Sequence, residues 1–407
     1  MEPGNGPYGG LLRGDIRSSA GAEGRCQHVH ALRSYGLIVR VLFVSHSFPP
    51  ADRPMASVGG MQRVAVDLSD HLKCQPGIEA RDIVLRSSWR FHHVRCAPWL
   101  VWTLIRLQTM ARRGVMDAVL FSSMVTGALA PLLRPTFKAA GIPMAAIAHG
   151  RDVTLPGLHQ LMVIRRALRG LDAVMSVSRA TARACQERGM PTRRIHVVPN
   201  GVDSERFTLG GGSEDGQLRL LSVGRLVRRK GFAWFVENVM PRLPSGVNYR
   251  IVGDGPEKEK IARVIRRSGL QSRVSMLGQL TDGELVQSFQ MSDLLVMPNR
   301  PVAGDMEGFG VVMLEAGACG MPTVAADLEG IRDVITPGRN GVLVRQGNAA
   351  AFAEAIQTTR SDAAVRSRVR DHTVSTFSWD RIAARFVDHL ERLLPGRTVN
   401  QDRGAAR

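Results

Sequence analysis

At 407 residues, with 44% hydrophobic and 22% charged positions, the chain is long enough for two or three domains and too apolar to be natively disordered. Its formal net charge of +18 comes almost entirely from scattered arginines, because lysine occurs only at 73, 138, 230, 258 and 260; nucleic acid is therefore discounted and an anionic membrane surface retained as a partner. Five cysteines, with no Cys-x-x-Cys, argue for a reducing compartment and against structural zinc or a disulfide framework.

Residues 1–36 are rich in Gly and Arg and carry no apolar period. They lack the apolar core of a secretory signal and read as a disordered extension. Structure begins at Leu37 with a buried-strand run over 38–45. A Pro-rich loop and the pair Gly59-Gly60 lead into a helix over 61–73. Paired glycines let a backbone approach a ligand closely, although the pattern is not the dinucleotide-binding fingerprint. Residues 97–113 place Trp99, Trp102, Ile105 and Arg106 at helical spacing. Such a helix either lies in a lipid headgroup layer or packs its apolar face on a sheet. Ala118 to Leu133 is too short and too polar to span a membrane and reads as a strand followed by a helix.

Further strands fall at 118–121, 144–148, 173–177 and 195–198, with a helix over 179–188. His149 closes the 144–148 strand and Asp152 follows it. A His at a strand's carboxyl end lies on the ligand edge of a sheet and can donate to a sugar hydroxyl. Leu209 to Gly216 is a flexible polar linker by composition. Alternation then restarts: strands at 218–223, 249–252, 273–277, 293–297 and 322–326, and helices at 232–242, 257–267, 282–290 and 311–319. Alternating units demand parallel sheets covered by helices on both faces. The expected fold class is α/β, with two doubly wound domains facing a cleft. The divisions are an N-terminal acceptor domain (37–203), a linker (204–217), a C-terminal donor domain (218–380) and a C-terminal helix and tail (381–407).

In the second half, Arg225 and Lys230 lie in a Gly-bounded loop directly after a strand, where two cations can converge on a diphosphate. Gly253-Asp254-Gly255 is a strand-end turn that could flank a base. Glu307-Gly308-Phe309-Gly310-Val311 precedes a helix carrying Glu315. The glycines would expose backbone N–H groups at the helix start, Glu307 would face the ligand, and Glu315 could accept from ribose hydroxyls.

Together, Val223-Gly-Arg225, Lys230-Gly231, Val252-Gly-Asp-Gly-Pro256, Glu307-Gly-Phe-Gly with Glu315-Ala, Cys319-Gly-Met-Pro322 and Val198-Pro-Asn-Gly-Val-Asp203 resemble the retaining glycosyltransferases of family 4. Asp305-Met-Glu307-Gly-Phe-Gly looks like the phosphatidylinositol mannosyltransferase-like and polysaccharide-building members. The resemblance implies the GT-B fold of two Rossmann-like domains and metal-independent use of a nucleotide-diphosphate sugar without a further cofactor. It implies that Glu307 contacts the donor sugar, Glu315 the ribose, Arg225 and Lys230 the diphosphate, Gly59 and Gly60 the phosphates, and His149 the transferred sugar. GDP-mannose is the first expected donor, ahead of a UDP-hexose. The expected acceptor is a lipid-linked or growing glycan, and the expected location is cytoplasmic, peripheral on the inner face of the plasma membrane. One departure stands out: Asp327-Leu-Glu329-Gly330 occurs where many members read Gly-Gly, so Glu329 adds negative charge on the donor side. The alternatives are a sugar-nucleotide epimerase on the same fold and a non-catalytic membrane- or polyanion-binding protein.

Overall fold

The computed structural model describes residues 38–50, 60–87, 92–212 and 217–395. The expected extension 1–36, Gly59 and the end of the tail lie outside the described residues.

Strands β1 (Val39–Phe48), β2 (Ile78–Arg86), β3 (Ala118–Phe121), β4 (Met144–Ala148), β5 (Ala173–Ser176) and β6 (Ile195–Val197) form one sheet in the order β2-β1-β3-β4-β5-β6. A second sheet orders β7 (Arg219–Val223), β8 (Asn248–Val252), β9 (Val274–Gly278), β10 (Leu294–Met297), β11 (Thr323–Ala326) and β12 (Gly341–Val344) as β12-β11-β10-β7-β8-β9. Neighbouring strands are parallel in both. This is the GT-B arrangement. Strands β3, β4, β5, β10 and β11 are buried along their whole length, as a sheet covered on both faces requires.

The first sheet is dressed by α1 (Gly60–Lys73), α2 (His92–Arg112), α3 (Met124–Gly127), α4 (Ala130–Ala139), α5 (Arg151–Thr154), α6 (Leu158–Gly170) and α7 (Arg179–Glu187). The second carries α8 (Phe232–Asn238), α9 (Lys258–Arg267), α10 (Asp282–Gln290), α11 (Val312–Ala318), α12 (Ala349–Thr358) and α13 (Ala363–Phe377), and α14 (Trp379–Arg392) closes the described chain. The helix expected over 232–242 stops at Asn238, and Pro241 sits in a separate 3-10 turn.

Several features differ from the sequence expectation. β2 was not expected, because Glu79, Arg81 and Asp82 break its apolar run; it is an edge strand fastened by Lys73 Nζ to Asp82 Oδ2 at 2.7 Å. The linker is pinned where it is described. Gly210 N–H donates to Cys319 O at 3.2 Å, and Arg366 Nε donates to Gly210 O at 2.7 Å. The terminal helix starts at Trp379 and returns to the first domain. There Trp379 fills the space beside Gly201, Val202 bridges Ser378, and Arg385 Nη2 donates to Val197 O at 2.8 Å. Cys96, Cys185 and Cys319 are free thiols, but Cys74 is disulfide-bonded, against the expectation of a reducing compartment.

Helix α2 packs Trp99, Trp102 and Leu104 against the core of the first domain and leaves Val101 and Ile105 exposed. The tryptophans therefore serve packing. Among the described residues no helix is long and apolar enough to cross a membrane.

Candidate functional site

In a doubly wound sheet the ligand crevice opens where the strand order reverses, at the carboxyl ends. In the second sheet that point lies between β7 and its neighbour β10. The loop after β7 holds Arg225 to Gly231, and the loop after β10 holds Asn299 to Val311. They meet because Gly231, at φ 71°, passes Pro298 so closely that a Cβ there would lie 2.0 Å from its carbonyl oxygen.

The two loops bring Lys230 and Glu307 together, with Nζ 2.7 Å from Oε2. Arg229 pairs with the same carboxylate oxygen, and Asn299 Nδ2 donates to it at 2.8 Å. Arg229 Nε also stands 3.3 Å from Asp305 Oδ1. All of these side chains except Asp305 are at least about 85% shielded from water or wholly buried. Burial alone would raise the Glu307 carboxyl; Lys230 and Arg229 outweigh it and hold the group below the ordinary carboxylate range. Asn299 is fully buried with Oδ1 unpartnered, an orphan acceptor beside the ion pair.

Glu329 completes the cluster. Its Oε2 accepts the Glu307 backbone N–H at 2.5 Å. Burial raises its carboxyl, and the Glu307 and Asp305 carboxylates add to the rise against the Glu307 amide and Arg229.

Across the cleft, His149 directly follows β4. Its Nε2 lies 2.8 Å from Ser122 O, which assigns the proton to Nε2, and its backbone N–H donates to Asp152 Oδ1 at 2.9 Å. Asp152 Oδ2 accepts from Met124 N at 3.1 Å. Asp152 thus ties two strand-end turns together, which is a structural task rather than a ligand contact. The His149 turn and the Glu307 loop interlock: a Cβ at Gly308 would lie 1.8 Å from His149 O, and one at Gly150 would lie 2.7 Å from Gly308 Cα. Gly308 is therefore demanded by the meeting of the domains, whatever binds beside it. Arg151 Nε stands 3.5 Å from Asp305 Oδ1 across the same seam.

The other expected residues distribute as follows. Glu315 is buried and accepts from Arg63 of α1 at 2.7 Å; Arg63 also donates to Asp282 at 2.7 Å. Phe309 is core, edge-on to Phe377, so only its backbone can face a ligand. Gly310 has φ 86°, and Val311 is half-buried at the entrance to the seven-residue α11. Gly60 opens α1 exposed, and a Cβ there would meet nothing, so the fold does not require glycine. Arg225 is exposed and joins no ion pair among the described residues. Asp254 is an exposed turn residue accepting from Gly255 N at 2.8 Å. Among the described residues no three His, Cys, Asp or Glu side chains are grouped to hold a metal ion.

Arg229, Asn299 and Arg63 escaped the sequence reading. Arg229 was hidden among 54 basic residues although it adjoins Lys230. Asn299 carried one signal, its place directly after a buried strand and a proline. Arg63 is one of four charged residues on amphipathic α1, with Asp67, Asp70 and Lys73, and only the domain packing gives it Glu315 and Asp282 as partners.

Residues 58–206 match the family model described as Glycosyltransferase Family 4, and residues 217–362 match Glycosyl transferases group 1. Over 299 residues the chain is 31% identical to the GDP-mannose-dependent alpha-(1-6)-phosphatidylinositol monomannoside mannosyltransferase of Mycolicibacterium smegmatis, covering 67% of this chain and 75% of that one. It is 28% identical over 233 residues to the amylovoran biosynthesis glycosyltransferase AmsK of Erwinia amylovora, covering 56% and 57%. Among solved structures, sucrose-phosphate synthase from Thermosynechococcus elongatus superposes with a TM-score of 0.70 at 22% identity, over 87% of this chain and 99% of that one. Anabaena HepE in complex with UDP gives 0.68 at 20% identity, over 87% and 100%.

Proposed function

The chain belongs to the family 4 glycosyltransferases, and from that premise we propose that it moves a hexose, with retention, from a nucleotide-diphosphate sugar to a hydroxyl of a lipid-linked or growing glycan. One observation carries the reading. Two cations, Lys230 and Arg229, are buried on Glu307 at the switch point of the second sheet, directly across from His149. The cations supply charge to a leaving diphosphate, and Glu307 with the orphan Oδ1 of Asn299 supplies acceptors for sugar hydroxyls. In the step itself the bond from C1 to the phosphate oxygen breaks. The bond from C1 to the acceptor oxygen forms on the same face, and the acceptor proton passes to the departing phosphate. Lys230 and Arg229 do without a metal or further cofactor what a divalent ion does elsewhere.

GDP-mannose is the first donor, following the mycobacterial relative, and a UDP-hexose the second, following HepE with UDP. The acceptor side favours a cytoplasmic protein that touches an anionic membrane. Leu155, Leu158 and Met162 are exposed beside Arg165, Arg166 and Arg169, and the neighbouring Pro156 packs on Gly304 at the mouth of the cleft. This basic, apolar face replaces the α2 tryptophans as the bilayer contact.

Thermal unfolding with GDP and with UDP tests the nucleotide, since a ligand of the folded state raises the melting temperature. Transfer from GDP-mannose and UDP-glucose, with the product anomer read by NMR, tests the chemistry. Stabilisation by one nucleotide and an α-linked product are expected. No stabilisation by either overturns the reading, and an epimerised nucleotide sugar replaces it with epimerisation. Co-sedimentation with anionic vesicles, lost in salt and in Leu158→Glu, tests the membrane contact.

A further inference from the structure

Among the described residues Glu329 is the one non-glycine position with a positive φ, at 44°. That left-handed backbone is strained for a side chain that glycine would spare, and such strain persists where the surroundings hold it. The surroundings here are the backbone of Glu307. Glu329 Oε2 accepts the Glu307 N–H at 2.5 Å, and Gly330 N–H donates to Glu307 O at 3.2 Å. A Cβ at Gly330 would lie 2.0 Å from Gly308 O, so the two turns are pressed together. Residues 329 and 330 thus engage both backbone polar groups of Glu307, while Lys230, Arg229 and Asn299 hold its carboxylate.

Charge adds a second consequence. Asp305, Glu307 and Glu329 place three carboxylates around Arg229 and Lys230, with Arg151 at the rim beside Asp305. A diphosphate that draws on the two buried cations leaves the carboxylates facing the sugar. Carboxylates accept from sugar hydroxyls and repel a sugar that carries its own carboxylate. Glu329 is half-buried, and with Oε2 on the Glu307 amide its Oε1 remains for a ligand.

We propose that Glu329 is the positioning and specificity residue of the donor-sugar pocket: it sets the Glu307 loop for transfer and restricts the donor to uncharged hexoses over uronic acids. This rests on the donor-transfer reading above. Two variants of the full chain separate the roles. Glu329→Gln keeps an oxygen to accept the Glu307 N–H and removes the charge; Glu329→Gly removes both and relieves the strain. Each is compared with wild type in thermal unfolding with GDP and UDP, in hydrogen–deuterium exchange over 305–311, and in kcat and KM for UDP-glucose against UDP-glucuronic acid and GDP-mannose against GDP-mannuronic acid.

For Glu329→Gly the expected result is a melting temperature no lower than wild type and an unchanged nucleotide shift. Exchange over 305–311 is faster, and kcat falls on the order of tenfold at a KM within about threefold. Glu329→Gln should restore kcat, yet its preference for the neutral donor should narrow by on the order of tenfold. Wild-type exchange and kcat in Glu329→Gly overturn the positioning role. An unchanged neutral-to-acidic ratio in Glu329→Gln overturns the specificity role. A wild type that neither binds a nucleotide nor turns over any donor overturns the donor-transfer reading and the specificity role with it, and the exchange comparison then decides positioning alone.

Discussion

Arg63 Nη1 lies 2.7 Å from Glu315 Oε1, and this ion pair joins the first helix of one domain to the heart of the other. Arg63 is about nine-tenths shielded, its second nitrogen reaches Asp282 at 2.7 Å, and its Nε is buried without a partner. The residue expected to hold a ribose is therefore engaged by the facing domain.

Arg63→Ala should open the cleft. Removing one partner of a buried pair ordinarily costs roughly 3–5 kcal/mol. Here the domains can part and let water reach Glu315, so part of that cost becomes opening. Small-angle scattering should show a larger radius of gyration, with a drop of a few degrees in melting temperature. Arg63→Lys can serve one carboxylate and should fall between. Wild-type scattering and stability in Arg63→Ala would refute a closing role.

Glu307→Gln should separate binding from turnover. Glu307 neutralises Lys230 and Arg229. Without its charge those cations attract a diphosphate more strongly, so GDP or UDP should bind as tightly or more tightly. Transfer should fall on the order of 100-fold or more, because a group aimed at the sugar is lost. Calorimetric titration and initial rates check both. Weaker nucleotide binding with unaltered kcat would remove Glu307 from the sugar side.

The two-sheet architecture was legible because buried parallel strands are continuous apolar runs that alternate with helices, as in Leu294–Met297 and Val312–Ala318. β2 was not, since an edge strand carries charges such as Arg81, in water, and Asp82, held by Lys73, which break its apolar run. Lys230 and Glu307 were legible because loops after strands are where doubly wound sheets bind. Arg225 and Arg229 were not separable by sequence: which of two neighbouring arginines turns inward depends on the Gly231–Pro298 contact between loops far apart in the chain. The long-range pairs, Arg63 with Glu315 and Gly308 with His149, carry no local signal at all.

Acid should loosen the return of the last helix. His389 of α14 stacks on His196 of β6, with centroids 4.4 Å apart. Burial, then His196, push the His389 imidazole down to about 4; Arg392 and Arg385 add to this, and Asp388 opposes it. Its folded pKa lies below the unfolded value of about 6.5. Between those values the unfolded chain takes up a proton that the fold does not, so this contribution is complete above about pH 6.5 and is lost as pH falls toward 4. Asp67, pushed up to about 6 by burial, acts with the opposite sign below pH 6. The His389 effect is therefore read as a difference. The melting temperature of His389→Phe, which keeps the stack, should improve relative to wild type between about pH 7.5 and 5. A constant difference across that range would rule the pair out as the source.

Arg366 is the last test, because it converts a composition-based expectation of a flexible linker into a measurable attachment. The side chain is 1% exposed. Its Nε donates to Gly210 O at 2.7 Å, Nη1 to Ser292 O at 2.9 Å and Ser361 Oγ at 3.2 Å, and Nη2 to Cys319 O at 3.2 Å and Gln290 O at 3.3 Å. One guanidinium thus reaches four carbonyls; Cys319 O and Gln290 O also accept from the linker amides of Gly210 and Gly212, whereas Gly210 O and Ser292 O accept from Arg366. Arg366→Ala strands Gly210 O and Ser292 O and leaves a large void, a combined loss of roughly 3–5 kcal/mol. Arg366→Lys reaches too few of them and should recover less than half. The distinguishing readout is local: limited trypsin digestion of Arg366→Ala should cut first near Arg206, where Arg370 alone would still hold the carbonyls of Ser204 and Phe207. A variant that melts and digests like wild type would mean that the linker is held by its glycine contacts and not by the arginine.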